Sequence, residues 1–130
     1  MRPTKILLLD DDAALRQALT FSLEIEGYEV MSFGDGPSLL TGGAGHTADC
    51  LVFDYKLQAM NGLDVLETLR NEQVAAPAIL ITSHPKPAVR HRAAELGAAV
   101  VEKPLLGDIL AAKIREIAQV ADPTTQTFKV

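Results

Sequence analysis

Short runs of apolar residues recur along the chain and predict five β-strands. Four of the runs are uninterrupted and cover residues 6–9, 51–53, 78–81 and 98–101. The other run, residues 28–33, alternates: Tyr28, Val30 and Ser32 face one way and Glu29, Met31 and Phe33 the other. Continuous apolar runs of this length are typical of strands covered on both faces, as in a parallel sheet.

The segments between these runs have the spacing of amphipathic helices. The first carries an apolar stripe, which continues to Ile25, and ends near Gly27, a residue suited to a helix C-terminus. Residues 37–40 form a shorter helix before a loop at residues 42–45, which are mostly glycine. Asn61 is suited to cap the third helix, and Pro87 to open a fourth that Gly97 closes. The last helix is marked by Leu105, Leu106, Ile109, Leu110, Ile114 and Ile117.

Strand and helix therefore alternate five times, which predicts a doubly wound α/β domain with right-handed crossovers. In such domains ligands bind beyond the carboxyl ends of the strands. Four of the five apolar runs end in residues capable of chemistry: Asp10-Asp11-Asp12, Asp54, Thr82-Ser83 and Glu102-Lys103. These residues are expected to converge at one edge of the sheet.

Several carboxylates at one edge repel one another, by about 4 kcal/mol for two charges ~4 Å apart at an effective dielectric constant near 20. Protonation or a bound cation relieves this repulsion. A hard cation such as Mg²⁺ suits oxygen ligands, and no cluster of His or Cys at these positions favours zinc. A carboxylate such as Asp54 can also accept a phosphoryl group, with Lys103 neutralising charge and Thr82 assisting alignment.

Length and composition narrow the functional classes. The 130 residues suit one domain, expected over residues 1–120, with residues 121–130 as a tail or the start of a linker. The single cysteine, Cys50, excludes a disulfide framework and fits a cytoplasmic protein. The net charge of −5 argues against direct nucleic-acid binding, and no apolar stretch is long enough for a membrane span.

The motifs at the strand ends resemble those of response-regulator receiver domains of two-component signalling. Residues 5–12 (KILLLDDD) look like the opening of that family, and residues 51–54 (LVFD) with 60–66 (MNGLDVL) resemble its phosphoacceptor strand and the next helix. Residues 79–83 (ILITS) and 102–104 (EKP) match the remaining two signatures. The resemblance covers residues 5 to about 120 and implies a (βα)5 flavodoxin-like fold, a five-stranded parallel sheet of order 2-1-3-4-5 with helices on both faces.

The resemblance also implies roles for individual residues. Asp54 matches the phosphoacceptor, while Asp10 and Asp11 match acids that hold Mg²⁺ or Mn²⁺ together with Asp54 and the backbone carbonyl of Lys56. Thr82 and Lys103 match the hydroxyl and the ammonium that bind the phosphoryl group. The bond between Lys103 and Pro104 matches a cis peptide of the family. Asp12 either shapes the acidic pocket or caps the first helix.

Three features depart from the usual family pattern. Val100 stands where the family usually has an aromatic residue that reports phosphorylation, which places the usual coupling in doubt. Gln58 replaces a usual proline, a change expected to be minor. Lys56 and His84 lie two residues after Asp54 and Thr82, where the family tunes the lifetime of the phosphoryl group, and we expect both to shield or contact it.

These features predict a self-catalysed phosphorylation switch rather than a metabolic enzyme. The expected partners are a histidine kinase or phosphotransfer protein and a downstream output domain or protein, with a homodimer left open. A pseudo-receiver that acts without phosphorylation is one alternative, favoured by Val100. A phosphatase of the haloacid dehalogenase type is another, because Asp10 and Asp12 have its Asp-x-Asp spacing. That type leaves Asp54 unexplained, and Asp108 and Asp122 are the only aspartates that remain after Lys103 for its last acidic pair.

Overall fold

The computed structural model describes residues 2–105 and 107–118, in which five strands alternate with five α-helices. In chain order the elements are β1 (Lys5–Leu9), α1 (Ala13–Ile25), β2 (Glu29–Phe33), α2 (Gly36–Thr41), β3 (Cys50–Asp54), α3 (Gly62–Asn71), β4 (Ala78–Thr82), α4 (Pro87–Glu95), β5 (Ala98–Glu102) and α5 (Ile109–Ala118). All neighbouring strands are parallel, in the order β2-β1-β3-β4-β5. The predicted fold and strand order are confirmed.

Helices cover both faces of the sheet, as predicted. Side chains of α2, α3 and α4 pack with Leu7, Leu9 and Phe53 on one face. Side chains of α1 and α5 pack with Ile6 and Leu8 on the other. Because successive strand residues point to opposite faces, the continuous apolar runs supply both cores.

Side-chain caps fix the starts of the helices that follow β1 and β3. The Asp12 carboxylate accepts hydrogen bonds from the backbone N–H groups of Ala14 and Leu15, both at 3.1 Å. Asn61 and Asp64 form a reciprocal capping box at the start of α3. Asp10 and Asp11 lie in the short loop between β1 and α1, so the Asp12 cap also fixes this loop, and the capping box fixes the end of the loop that follows Asp54.

Three local predictions were wrong. The last helix begins at Ile109 rather than near Leu105, because Gly107 takes a left-handed φ of 60° that ends any helix running through it. The glycine-rich loop contains a turn of 3-10 helix, Ala44–His46. Ile25 leaves the apolar stripe and is 67% exposed, since two residues after the buried Leu23 a helix has turned by about 200°.

The remaining predictions for the C-terminal region lie outside the described residues. Leu106 and the expected tail at residues 121–130 belong to this group. Within residues 2–105 and 107–118, none of the helices has the length and apolar character that crossing a membrane requires.

Candidate functional site at the carboxyl ends of the strands

Four strand ends bring the predicted site residues to one edge of the sheet. Asp10 directly follows β1, Asp54 ends β3, Thr82 ends β4, and Lys103 directly follows β5. The ends of β4 and β5 are joined where the Lys103 N–H donates a 2.8 Å hydrogen bond to the Thr82 carbonyl. The parallel register therefore assembles residues spread from position 10 to position 103 of the 130-residue chain.

An acidic cluster occupies the centre of this edge. One carboxylate oxygen from each of Asp10, Asp11 and Asp54 lies within 4.8 Å of the others. Asp10 and Asp54 are buried, whereas Asp11 is exposed. The cluster is thus open to solvent on the side of Asp11 and enclosed by protein at its base.

The two oxygens of Asp54 differ in their partners. Oδ2 accepts a 3.2 Å hydrogen bond from the Lys103 ammonium. Oδ1 is buried and has no hydrogen-bond partner among the described residues. A buried charged oxygen without a partner is costly, so it is expected to receive a ligand.

The donor set around this oxygen fits a hard divalent cation. All three side chains of the cluster offer carboxylate oxygens, which Mg²⁺ prefers, and no His or Cys belongs to the group. The unpartnered Oδ1 of Asp54 supplies a ligand atom that no other described group uses. The residues present therefore suit the cation expected from the sequence.

Burial and charge together disturb the titration of the cluster. Burial is the main factor that raises the pKa of Asp54, the Lys103 ammonium opposes the rise, and the carboxylates of Asp10 and Asp11 add to it. Burial likewise raises the pKa of Asp10, against the opposing effects of the Asp12 N–H group and Lys103. Both acids thus favour their protonated forms more than a solvated aspartate does when no cation is bound.

A cavity of about 490 Å³ opens beside Asp54. Besides Asp54, its walls include the predicted site residues Lys56, Thr82, His84 and Lys103. His84 adopts a left-handed backbone with φ of 46°, a conformation that His tolerates better than most residues. Tyr55 and Lys86 also line the cavity, although the sequence analysis assigned them no role there.

Three further predictions concern residues around this edge. The Lys103–Pro104 peptide bond is cis, as predicted. Val100 is half-buried and packs against the core on the side of α4. The exposed Asp12 caps α1, which is the helix-capping alternative considered for it. Asp12, the second acid of the Asp-x-Asp spacing that suggested a haloacid dehalogenase, therefore has a structural role as a helix cap.

Arg16 is a further residue at this edge that was not predicted from the sequence. Its guanidinium Nη1 donates a 2.6 Å hydrogen bond to the backbone carbonyl oxygen of Asp10. Long side chains on a helix point back toward its N-terminus, so an arginine in the early turns of α1 can reach the preceding loop. The sequence signal for this contact was the spacing of six residues between Asp10 and Arg16, which places the arginine in the early turns of α1.

Comparison with known proteins decides the family. A family model described as the response regulator receiver domain matches residues 6–115. This chain belongs to that family. The receiver domain is also 31% identical over 126 residues to the transcriptional regulatory protein FixJ of Bradyrhizobium diazoefficiens, and the match covers 96% of the chain and 62% of FixJ.

Solved structures agree with this membership. A CheY-like receiver domain from Methanospirillum hungatei superposes with a TM-score of 0.84 at 28% identity, covering 91% of this chain and 95% of its own. The response regulator TrrA of Thermotoga maritima, crystallised in complex with Mg²⁺ and BeF, has a TM-score of 0.75 at 26% identity and coverage of 88% and 98%. The receiver domain spans about half to three-fifths of the length of the first curated relatives it matches.

Proposed function

We propose that this receiver domain is a phosphorylation-dependent switch whose phosphoacceptor is Asp54. The observation that carries the proposal is the environment of the Asp54 carboxylate. One oxygen meets the Lys103 ammonium at 3.2 Å, and the other is buried, without a partner in the described residues, and close to two further acids. A carboxylate in this setting is suited to act as a nucleophile toward phosphorus.

Asp10, Asp11 and Asp54, with the backbone carbonyl of Lys56, would hold Mg²⁺ or Mn²⁺. When bound, the cation would neutralise part of the negative charge of the cluster and of the incoming phosphoryl group. The complex of the related TrrA with Mg²⁺ and BeF supports this proposal.

In the transfer step a carboxylate oxygen of Asp54 forms a bond to phosphorus. The bond from phosphorus to the donor breaks in the same step, and its electron pair leaves with the donor. With a phosphohistidine donor the leaving atom is an imidazole nitrogen. Lys103 would stabilise the added negative charge, and the Thr82 hydroxyl would donate a hydrogen bond to a phosphoryl oxygen. The domain therefore catalyses its own modification without being a metabolic enzyme.

The phosphoryl group would switch the domain through the ends of β4 and β5. The phosphoryl group carries about 1.5 to 2 negative charges in place of the single charge of the carboxylate, and these charges attract the Thr82 hydroxyl and the Lys103 ammonium. Since the Lys103 N–H is already hydrogen-bonded to the Thr82 carbonyl, the two strand ends would respond together. The change would shift an existing equilibrium between two conformations of the face formed by α4 and β5.

Lys56 and His84 would set the lifetime of the phosphoryl group. Both line the cavity beside Asp54, from the loops after β3 and β4. Side chains in these positions can restrict the approach of water to the phosphorus atom. We therefore assign them a modulating role rather than a catalytic one.

The donor would be a histidine kinase or a phosphotransfer protein, and the receiver domain would act on an output domain or a separate target. Relatives such as FixJ, a transcriptional regulatory protein, extend well beyond the matched region, which supports an attached output domain. The receiver domain itself is acidic, so we propose no direct contact with nucleic acid or a membrane. A phosphorylation-dependent homodimer is a further candidate assembly.

A pseudo-receiver is the second candidate function. Val100 favours it, because an aliphatic side chain cannot perform the rotation of an aromatic ring that the family usually couples to phosphorylation. In that case the domain would bind its partner with the face of α4 and β5 in one fixed conformation.

An NMR titration tests the switch. Amide spectra of wild type and Asp54→Asn would be recorded with Mg²⁺, before and after addition of beryllofluoride, a mimic of the phosphoryl group. The proposal predicts wild-type shifts at Thr82, in the loop that carries His84, and along β5, with none in Asp54→Asn. If beryllofluoride binds wild type and only residues adjoining Asp54 shift, the pseudo-receiver is the better account.

A further inference from the structure

Arg16 joins α1 to the loop that carries the acidic cluster. Its Nη1 lies 2.6 Å from the carbonyl oxygen of Asp10, in a partly buried contact. This carbonyl belongs to the peptide bond between Asp10 and Asp11, the two adjacent acids of the cluster. Arg16 thus reaches the cluster through a neutral backbone oxygen and not through a carboxylate.

The guanidinium lies against the loop after β2. A Cβ atom on Gly34 would lie 3.0 Å from Nη1 and 3.5 Å from Cζ of Arg16, so the glycine leaves the space that the guanidinium occupies. The loops after β1 and β2 are also joined directly, since the Asp10 N–H donates a 3.1 Å hydrogen bond to the Phe33 carbonyl. The position of Arg16 therefore depends on a residue of a different loop.

Hydrogen bonds hold the peptides on both sides of Asp11. The Arg16 contact holds its carbonyl oxygen, and the Asp12 N–H donates a 2.9 Å hydrogen bond to the Asp10 carboxylate. Asp11 is exposed, so packing does little to orient its side chain. Its carboxylate direction follows mainly from the backbone orientation that these contacts impose.

We propose that Arg16, supported by Gly34, is a positioning residue that orients the Asp10–Asp11 peptide and thereby sets the affinity of the acidic cluster for a divalent cation. The proposal rests on the proposed function, because it concerns the same cation site. A charge-assisted hydrogen bond is stronger than a neutral one, and partners that orient metal ligands typically change affinity about 10- to 100-fold when removed. Arg16 would thus affect the cation without touching it, because its contact with the Asp10 carbonyl orients the next residue, Asp11, which is a ligand.

The test compares Mg²⁺ affinity by isothermal titration calorimetry in wild type and variants of the full chain. Arg16→Met keeps the aliphatic stem and removes the donor, while Arg16→Lys keeps a cationic donor. Gly34→Ala places a Cβ 3.0 Å from Nη1 of Arg16, so the guanidinium must shift while the sequence of α1 stays unchanged. Matched controls are Arg115→Met, an exposed arginine paired with Glu26, and Gly42→Ala, where an added Cβ meets only Ser38 O at 3.9 Å.

We expect the Mg²⁺ dissociation constant to rise about tenfold in Arg16→Met. The dissociation constant should also rise in Gly34→Ala. Arg16→Lys should recover most of the affinity that Arg16→Met loses, and the control variants should have the wild-type affinity. Phosphorylation by acetyl phosphate should need more Mg²⁺ for half-maximal rate in Arg16→Met and reach the wild-type rate at saturation. This separates an effect on binding from an effect on the chemical step.

Unchanged Mg²⁺ affinity in Arg16→Met and Gly34→Ala, with wild type binding normally, would overturn the role of Arg16 and leave the proposed function intact. A wild type that binds no Mg²⁺ would overturn both proposals. A loss confined to the maximal rate at saturating Mg²⁺ would also contradict a positioning role.

Discussion

The Lys103 ammonium lies 3.2 Å from Oδ2 of Asp54, while Oδ1 of the same carboxylate is buried and has no partner within residues 2–105 and 107–118. One side of the carboxylate is therefore neutralised by the protein, and the other side is left for a ligand. The Asp54 side chain is 5% exposed and that of Lys103 is 31% exposed. The pair is thus partly shielded from solvent, and its loss is expected to matter more than that of a surface ion pair.

Replacement of Lys103 by Met should impair phosphorylation of Asp54. The substitution removes the charge that opposes the raised pKa of Asp54, so the carboxylate becomes less ionised and the transferred charge is less well balanced. We expect the rate of phosphorylation by acetyl phosphate to fall at least tenfold, measured by intact mass against time. Lys113→Met is the matched control, because that lysine has the same 31% exposure and pairs with Glu116. Equal rates in the two variants would contradict the role of Lys103.

Replacement of Asp10 by Asn should stabilise the metal-free protein at neutral pH. The pKa of Asp10 is raised in the folded state, so above its ordinary value of 3.8 the folded state binds protons more strongly than the unfolded state. Stability therefore falls as the pH rises through this window, and the penalty persists at pH 7. We expect Tm in EDTA to rise by a few degrees, since about 1 kcal/mol corresponds to about 4 °C in a domain of this size.

The stabilisation in Asp10→Asn should depend on pH. It should vanish well below pH 3.8, where the carboxyl group is protonated in both states. Asp108→Asn, at an exposed acid, serves as the control. A variant less stable than wild type in EDTA at pH 7 would show that the acidic cluster does not strain the metal-free fold.

Replacement of Gly62 by Ala should destabilise the domain. A Cβ atom at this position would collide with the backbone carbonyl of Asp54, which cannot yield as a flexible side chain can. The start of α3 would have to move away from β3, at a cost of about 1–3 kcal/mol. Urea denaturation measures this cost, with Gly42→Ala as a control at an open position. A midpoint equal to that of wild type would mean that α3 adjusts without strain.

Replacement of Lys56 or His84 by Ala should alter the lifetime of the phosphorylated state. Both side chains line the cavity beside Asp54, so their removal opens a path for water. We expect each variant to lose the phosphoryl group several-fold faster than wild type, as followed by intact mass after removal of the donor. His91→Ala, at an exposed position on α4, is the control. Unchanged dephosphorylation rates in both cavity variants would contradict a role for Lys56 and His84 in the lifetime of the phosphoryl group.

The fold and the positions of the site residues could be predicted because the apolar runs mark the strands and the residues that end those runs mark one edge of the sheet. Uninterrupted apolar runs mark strands buried on both faces, and each run that stops at Asp54, Thr82 or Lys103 places that residue at the same edge. The convergence of the side chains already followed from the parallel sheet, whereas the strand order followed once the family resemblance was recognised. Caps at Asp12 and Asn61 were also predictable, because capping depends on local sequence.

Other features depend on contacts that no local pattern reveals. The contact between Arg16 and the Asp10 carbonyl depends on the conformation of the loop after β2. The left-handed backbone of His84 depends on the conformation of the loop after β4. The start of α5 depends on the left-handed conformation of Gly107, which the apolar spacing of Leu105 and Leu106 does not report.

Intact mass spectrometry shows directly whether Asp54 accepts a phosphoryl group. Wild type and Asp54→Asn would be incubated with acetyl phosphate in Mg²⁺ and, separately, in EDTA. We expect one added phosphoryl group in wild type with Mg²⁺, labile in base, and none in EDTA or in Asp54→Asn. A wild type that stays unmodified in Mg²⁺, or an Asp54→Asn variant that gains the same mass, would contradict the assignment of Asp54 as the phosphoacceptor.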